Sequence, residues 1–357
     1  MTDRKIKVLV AEDSTVTRQF LVHLLESDPR ISVIGAVGDG QAALDFVTQN
    51  KPDVVLMDVH MPRMDGFEAT RRIMETQAVP IVICSATANT KDIVITFQAM
   101  EAGAIACIEK PLGRERGDFE AMAAHLLETV KLMSEVKVVR RTARWRPASL
   151  AAADTVKWRR APAQIKLIGM GASTGGPPVL QTILAGLPKD FPVPLLVVQH
   201  IASGFLAGMA EWLNQTTGLQ VQIASYGTTP LPGHVYLAPD DFHMGIGAGG
   251  EIVLTREEPE SHLRPAVSFL FRSLAKVCGP NALGVLLTGM GRDGAEELKA
   301  MKDQGAITIA QDQESSVVHG MPGVAIALGG ATHVLSADKI AAALVGLVNH
   351  SSGLSRI

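Results

Sequence analysis

Short runs of aliphatic and β-branched residues alternate with longer amphipathic stretches twice along this chain, which is the pattern of parallel sheets covered by helices. In the first half the runs are Lys7–Ala11, Ser32–Ala36, Val54–Asp58, Ile81–Ser85 and Ala104–Ile108. Five such strands with five crossovers predict a flavodoxin-like, doubly wound (βα)5 domain over residues 1–130. In the second half the runs are Lys166–Gly169, Leu195–Gln199, Gln220–Ala224, Val235–Ala238, Ile252–Thr255, Leu283–Thr288 and Ala306–Ala310, and a helix follows from about Ala337. They predict a larger, mainly parallel doubly wound α/β domain over residues 165–350. The Gly245–Gly250 cluster reads as a hairpin turn, and so predicts an antiparallel edge on the second sheet.

Between the halves, residues 131–164 lose this periodicity and carry the basic run Arg140-Arg141-Thr142-Ala143-Arg144-Trp145-Arg146-Pro147, which reads as a linker. A length of 357 residues suits two cores better than one. The net charge of −3 supplies no overall attraction to nucleic acid or an anionic membrane. Cys84, Cys107 and Cys278 lie far apart, form no CxxC pair and sit among apolar neighbours, as reduced core residues do. Met1-Thr2-Asp3-Arg4-Lys5 leads into an apolar run with no signal-peptide pattern, and no apolar stretch approaches ~20 residues, so neither export nor membrane insertion is expected. The cytoplasm is the expected compartment.

In the first half, polar residues stand at one strand end after another: Glu12 and Asp13, Asp58, Ser85, and Lys110. The carboxyl ends of an open parallel sheet are where its ligand site lies. Carboxylates converging there repel each other, and a hard dication with oxygen ligands, such as Mg²⁺, relieves the repulsion. Asp58 then becomes a plausible nucleophile toward a phosphoryl group, with Lys110 and the Ser85 hydroxyl facing the developing charge.

The second half places three further residues at strand ends. Ser173 lies in Gly169-Met170-Gly171-Ala172-Ser173-Thr174-Gly175-Gly176-Pro177, a strand running into an apolar helix. Such a turn is also the form of a phosphate cradle or a capped helix start, and it matches neither GxSxG nor GxxxxGK[ST]. His200 ends the run Leu195–Gln199, and Asp293 lies in Thr288-Gly289-Met290-Gly291-Arg292-Asp293-Gly294-Ala295, where it could equally cap the next helix. Together the three satisfy the roles of nucleophile, general base and orienting acid.

Glu12-Asp13-Ser14, Leu56-Met57-Asp58, Met61-Pro62-Arg63-Met64-Asp65-Gly66 and Lys110-Pro111 resemble the response-regulator receivers over residues 5–130. That resemblance implies Asp58 as phospho-acceptor, Mg²⁺ held by Glu12, Asp13, Asp58 and the His60 carbonyl, Ser85 as switch hydroxyl, Lys110 on the phosphate, and a histidine kinase as donor. Ser173-Thr174-Gly175-Gly176-Pro177, Gln199-His200, His234-Val235-Tyr236-Leu237-Ala238-Pro239, Thr288–Ala295, and Ser315-Ser316-Val317-Val318 with Gly320-Met321-Pro322 are similar to motifs of the chemotaxis protein-glutamate methylesterases. This second resemblance implies a hydrolase-type catalytic domain with Ser173, His200 and Asp293 as triad and Thr174 and Met290 lining the oxyanion region. It also implies chemoreceptor γ-glutamyl methyl esters as substrate, glutamine deamidation as side activity, and no catalytic cofactor. The chain departs from the two patterns at Cys107, Ile201-Ala202, Ser268 and His319. A scaffold that has lost the reaction, or a hydrolase of the same type acting on a non-chemotactic protein, remains compatible with the sequence. A DNA-binding output does not fit a strand-rich, glycine-bracketed second half.

Overall fold

The structure, a computed structural model, describes residues 4–85, 90–111, 119–136, 138 and 164–351. The chain divides into two compact units, Met1–Trp145 and Arg146–Ile357. Most of the expected linker, residues 131–164, lies outside the described residues.

Unit one alternates strictly: β1 (Ile6–Ala11), α1 (Thr15–Glu26), β2 (Ile31–Val37), α2 (Gly40–Asn50), β3 (Val54–Met57), α3 (Gly66–Thr76), β4 (Ile81–Ser85), α4 (Thr90–Ala102), β5 (Ala106–Glu109) and α5 (Phe119–Ser134). α5 runs four residues past the expected domain end at 130. The sheet is parallel throughout, in the order β2-β1-β3-β4-β5. β3 and β4 are buried along their whole length, as a strand covered on both faces must be. Ser14, Asp39 and Asp65 start α1, α2 and α3 by accepting the N–H of Thr17, Ala42 and Glu68, so short polar side chains end each loop where a helix needs an acceptor. The order reverses between β1 and β3, which opens a crevice above their carboxyl ends.

Unit two runs β6 (Leu167–Ala172), α6 (Gly176–Ala185), β7 (Leu195–Gln199), α7 (Leu206–Thr217), β8 (Gln220–Ile223), β9 (His234–Leu237), β10 (His243–Ile246), β11 (Ile252–Thr255), α8 (Val267–Cys278), β12 (Ala282–Leu286), α9 (Ala295–Asp303), β13 (Ile307–Gln311), α10 (Met321–Ala327), β14 (His333–Leu335) and α11 (Ala337–Ser351). Seven strands form one parallel sheet in the order β14-β13-β12-β6-β7-β9-β8. Its centre, β12, β6 and β7, is buried on both faces. Here the order reverses between β6 and β12.

The hairpin turn expected at 245–250 is present, but it joins β10 to β11 in a separate two-stranded antiparallel sheet rather than edging the main one. The reason is α8. Its buried residues Val267, Leu270, Phe271, Leu274 and Ala275 follow helical spacing. Gly169 of β6 leaves room for Leu274 and Phe271, while Ser273 Oγ accepts the Ile246 N–H at 3.1 Å. The helix thus lies between the main sheet and the hairpin. Cys84 is buried, Cys107 and Cys278 are partly buried, and all three are free thiols. No described helix is long and apolar enough to cross a membrane.

Phe271 is fully buried in the core that α8 shares with β6 and β12. Phe271→Ala is expected to destabilise unit two by about 3–5 kcal/mol through lost transfer energy and the cavity left behind. The decrease in its urea midpoint at constant slope measures this.

Candidate active site

At the crevice of unit two, the strand ladder continues past the strand ends on both sides of β6. The His200 N–H donates to the Ala172 carbonyl at 2.9 Å, and the Ser173 N–H donates to the Thr288 carbonyl at 3.0 Å. Ser173 therefore stands between His200 and Thr288 for reasons of backbone pairing alone. Small residues allow the close approach: a Cβ on Gly289 would lie 2.7 Å from the Ser173 Cβ. Thr288 pins this corner, since its Oγ1 accepts the Val318 N–H at 3.0 Å and lies 3.0 Å from the Thr174 carbonyl, to which it can donate.

His200 Nε2 lies 3.0 Å from Asp293 Oδ2. Asp293 is buried, and it does not cap α9, whose N-cap position is taken by Gly294 at φ 77° with no side-chain bond. Its carboxylate sits instead at the N-terminus of α8. Oδ2 also accepts the Val267 N–H at 2.6 Å, and Oδ1 accepts the Ser268 N–H at 2.9 Å. These are N–H groups that a helix start leaves without intrahelical partners, so an anion is favoured there. Burial pushes the Asp293 carboxyl up, but His200 and Ser268 outweigh it and hold the group below the usual carboxylate range.

Ser268, one of the departures named above, extends this arrangement. Its hydroxyl donates to Glu297 Oε2 at 2.7 Å and accepts the Gly294 N–H at 2.9 Å, locking the turn that carries Asp293. His243, absent from the sequence expectations, is fully buried. Its Nδ1 accepts the Ala266 N–H at 3.3 Å, so Nε2 carries the hydrogen and donates to the Glu258 carbonyl at 3.1 Å. It thereby fixes the approach to α8 one residue before Val267. His319, another departure, lies with Nε2 3.3 Å from the Gln311 carbonyl.

Ser173 and Thr174 are partly buried, and Met290 is exposed on the turn after β12. Among the described residues the Ser173 hydroxyl makes no hydrogen bond, and neither does His200 Nδ1. Ser173 does not cap α6 either, since Gly175 at φ 76° occupies that position.

In unit one, the expected residues meet at the β1/β3 crevice. Oxygens of Glu12, Asp13 and Asp58 all lie within 4.8 Å of one another. Lys110 Nζ bridges two of them, 2.7 Å from Glu12 Oε2 and 2.9 Å from Asp58 Oδ1. Glu12, Asp58, Ser85 and Lys110 are buried while Asp13 is exposed. Burial pushes the Glu12 carboxyl up; Lys110 pulls it back and Asp58 pushes it further, leaving it raised. Burial opposes the Lys110 ammonium, yet Asp58 and Glu12 outweigh it and keep the lysine charged. His60 follows β3 on the same loop as Asp58. Cys107 lies on β5 opposite Ile83 of β4, and burial pushes its thiol well up.

Comparison with known proteins covers both units. Residues 168–344 match the CheB methylesterase family and residues 8–118 the response regulator receiver domain. The protein-glutamate methylesterase/protein-glutamine glutaminase of Nitrosospira multiformis is 55% identical over 346 residues, which is 96% of this chain and 97% of the relative. This chain belongs to the CheB methylesterase family. A relative of the same name in Geobacter metallireducens is 51% identical over 96% of this chain and 99% of its own length. The crystal structure of the Thermotoga maritima CheB methylesterase catalytic domain is 41% identical, with a TM-score of 0.50, and covers 52% of this chain and 99% of that one. The chain is thus an ester hydrolase of the protein-glutamate methylesterase type, with the associated glutaminase activity, joined to a response-regulator receiver.

Because the Asp293 carboxyl is held below its ordinary value, its contribution to stability is full above the ordinary carboxylate range near pH ~4 and is lost as pH falls through the lowered value. Urea midpoints of wild type and Asp293→Asn are expected to differ most at neutral pH and to converge on acidification. A gap that stays constant down to acid pH contradicts the assignment of the shift.

Proposed function

We propose that Ser173, His200 and Asp293 carry out acyl transfer on γ-glutamyl methyl esters of chemoreceptor cytoplasmic helices, in the cytoplasm, and that phosphorylation of Asp58 activates the reaction. The observation that carries the catalytic part is the hydrogen-bonded pair of half-buried His200 and buried Asp293 one ladder step from Ser173, at the crevice where the strand order reverses.

Asp293 engages Nε2, so the resting imidazole keeps its hydrogen there and presents Nδ1 as the base. The Ser173 hydroxyl turns to Nδ1, a contact that free enzymes commonly complete only with substrate bound. The Ser173 oxygen adds to the ester carbonyl as Nδ1 takes its proton. When the tetrahedral adduct collapses, the C–OCH₃ bond breaks and His200 returns the proton to the departing methanol. Water then repeats the sequence: His200 accepts its proton, the oxygen adds to the acyl carbon, and Ser173 Oγ leaves reprotonated, giving glutamate. A primary amide enters the same path with ammonia as leaving group. Throughout, Asp293 orients the ring and stabilises its charged form. The N–H groups of Thr174 and Met290 have no acceptor among the described residues and lie on the turns flanking Ser173, which supports their role as oxyanion donors.

In the receiver, the three clustered carboxylates and their hard oxygen donors fit Mg²⁺, held by Glu12, Asp13, Asp58 and the His60 carbonyl. Bound there, the ion would spread charge on the phosphoryl oxygens. Asp58 accepts the phosphoryl group from a histidine kinase; Lys110, freed from its carboxylate partners, contacts the phosphate, and Ser85 offers a hydroxyl. Activation requires that phosphate on Asp58 favour one arrangement of the two units over another.

Ser173→Ala is expected to lower methanol release from methylated receptor by on the order of 10⁴-fold. Retention of turnover within tenfold of wild type removes Ser173 as nucleophile. A small-molecule phosphodonor with Mg²⁺ should raise turnover of the wild type and leave Asp58→Asn unchanged; equal stimulation of both contradicts control through Asp58.

A further inference from the structure

Gln199 ends β7 and is buried. Its side-chain amide nitrogen donates to the Ser173 carbonyl at 2.8 Å and to the His200 carbonyl at 2.8 Å. Both amide hydrogens are thus committed to the backbones of the two residues that exchange a proton in the reading above. The Ser173 carbonyl also accepts the Gly176 N–H at 2.8 Å, so two donors fix its direction and with it the direction of the Ser173 side chain. Among the described residues the Gln199 Oε1 has no hydrogen-bond partner, and it lies against Gly176, where any Cβ would collide with it. A buried acceptor left unmatched is unfavourable, and methionine would fill a similar volume without one. The amide is therefore explained by its two donors rather than by packing.

We propose that Gln199 is a positioning residue that sets the distance between the Ser173 hydroxyl and the His200 base by tying their main chains together. This rests on the acyl-transfer reading of Ser173 and His200. Gln199→Met keeps length and volume but has no donor. Gln199→Glu keeps shape but, when ionised, turns acceptors toward both carbonyls.

The experiment measures kcat and KM for methanol release from methylated receptor, labelling of Ser173 by a fluorophosphonate, and the melting midpoint, in full-length protein. Misplacing reacting groups by about 1 Å can cost ~10²-fold. Both variants are expected to lose on the order of 10–100-fold in kcat and to label more slowly, with KM within about twofold and the melting midpoint retained. If the methionine variant does not fold, the glutamate variant is judged by the same criteria. A kcat within about threefold of wild type overturns the proposal, as does a loss that appears in KM or in the folded fraction instead. Ser173→Ala measured alongside separates the two readings. Methanol release by that variant removes the acyl-transfer reading itself, whereas an inactive Ser173→Ala beside fully active Gln199 variants removes only the role of Gln199.

Discussion

The catalytic unit depends on the parallel pairing of β7, β6 and β12. Ala172 pairs with Gln199 and Gly171 with Leu286, and the ladder carries on to His200 on one side and Thr288 on the other. Residues remote in sequence are brought side by side by backbone hydrogen bonds, before any side chain contributes. Register is sharply determined because both faces of these strands are buried, so a slip of one residue would turn every side chain to the opposite layer. The glycines follow from the same constraint. Gly169 admits α8 against β6, and Gly289 admits the turn after β12 against Ser173.

Each unit neutralises its buried carboxylates differently, and the difference suits its chemistry. Asp293 is held by two backbone N–H groups and an imidazole, a fixed arrangement that keeps the carboxylate ionised and the ring oriented. Glu12 and Asp58 each accept one backbone N–H, from Ser14 and Val59, and share a single cationic side chain, Lys110, beside an exposed Asp13. A lysine that bridges two carboxylates can be displaced when a cation and a phosphoryl group arrive, whereas a helix terminus cannot. On the proposed reading, the Glu12/Asp58 site suits a change of occupants and the Asp293 site a single geometry kept through repeated turnovers.

Much of this was legible in the sequence because α/β sheets write their sites at strand ends. β4, β7 and β11 begin and end where the residue pattern places them, and Glu12, Asp13, Asp58, Lys110, His200 and Asp293 come together at the two crevices. What escaped was whatever depends on contacts between distant segments. The hairpin's turn was visible in its glycines, but its separation from the main sheet follows from α8 lying between the two layers. β10, His243–Ile246, carries a histidine and a glycine and so lacks a strand's composition. β14 is only three residues long. Ser268 reads in sequence as a mere departure, yet it braces the turn holding Asp293; Gln199 reads as a strand's last residue, and only its partners reveal the bridge it makes.

The account turns on Ser173 becoming covalently acylated with His200 as the base. Rapid quenching of turnover with a methylated receptor peptide, followed by mass spectrometry of the peptide containing Ser173, tests this directly. The account predicts an adduct at Ser173 equal to the substrate minus methanol, formed in the wild type and strongly reduced in His200→Gln. Steady methanol release with no adduct at any time, or an adduct on another residue, would contradict it.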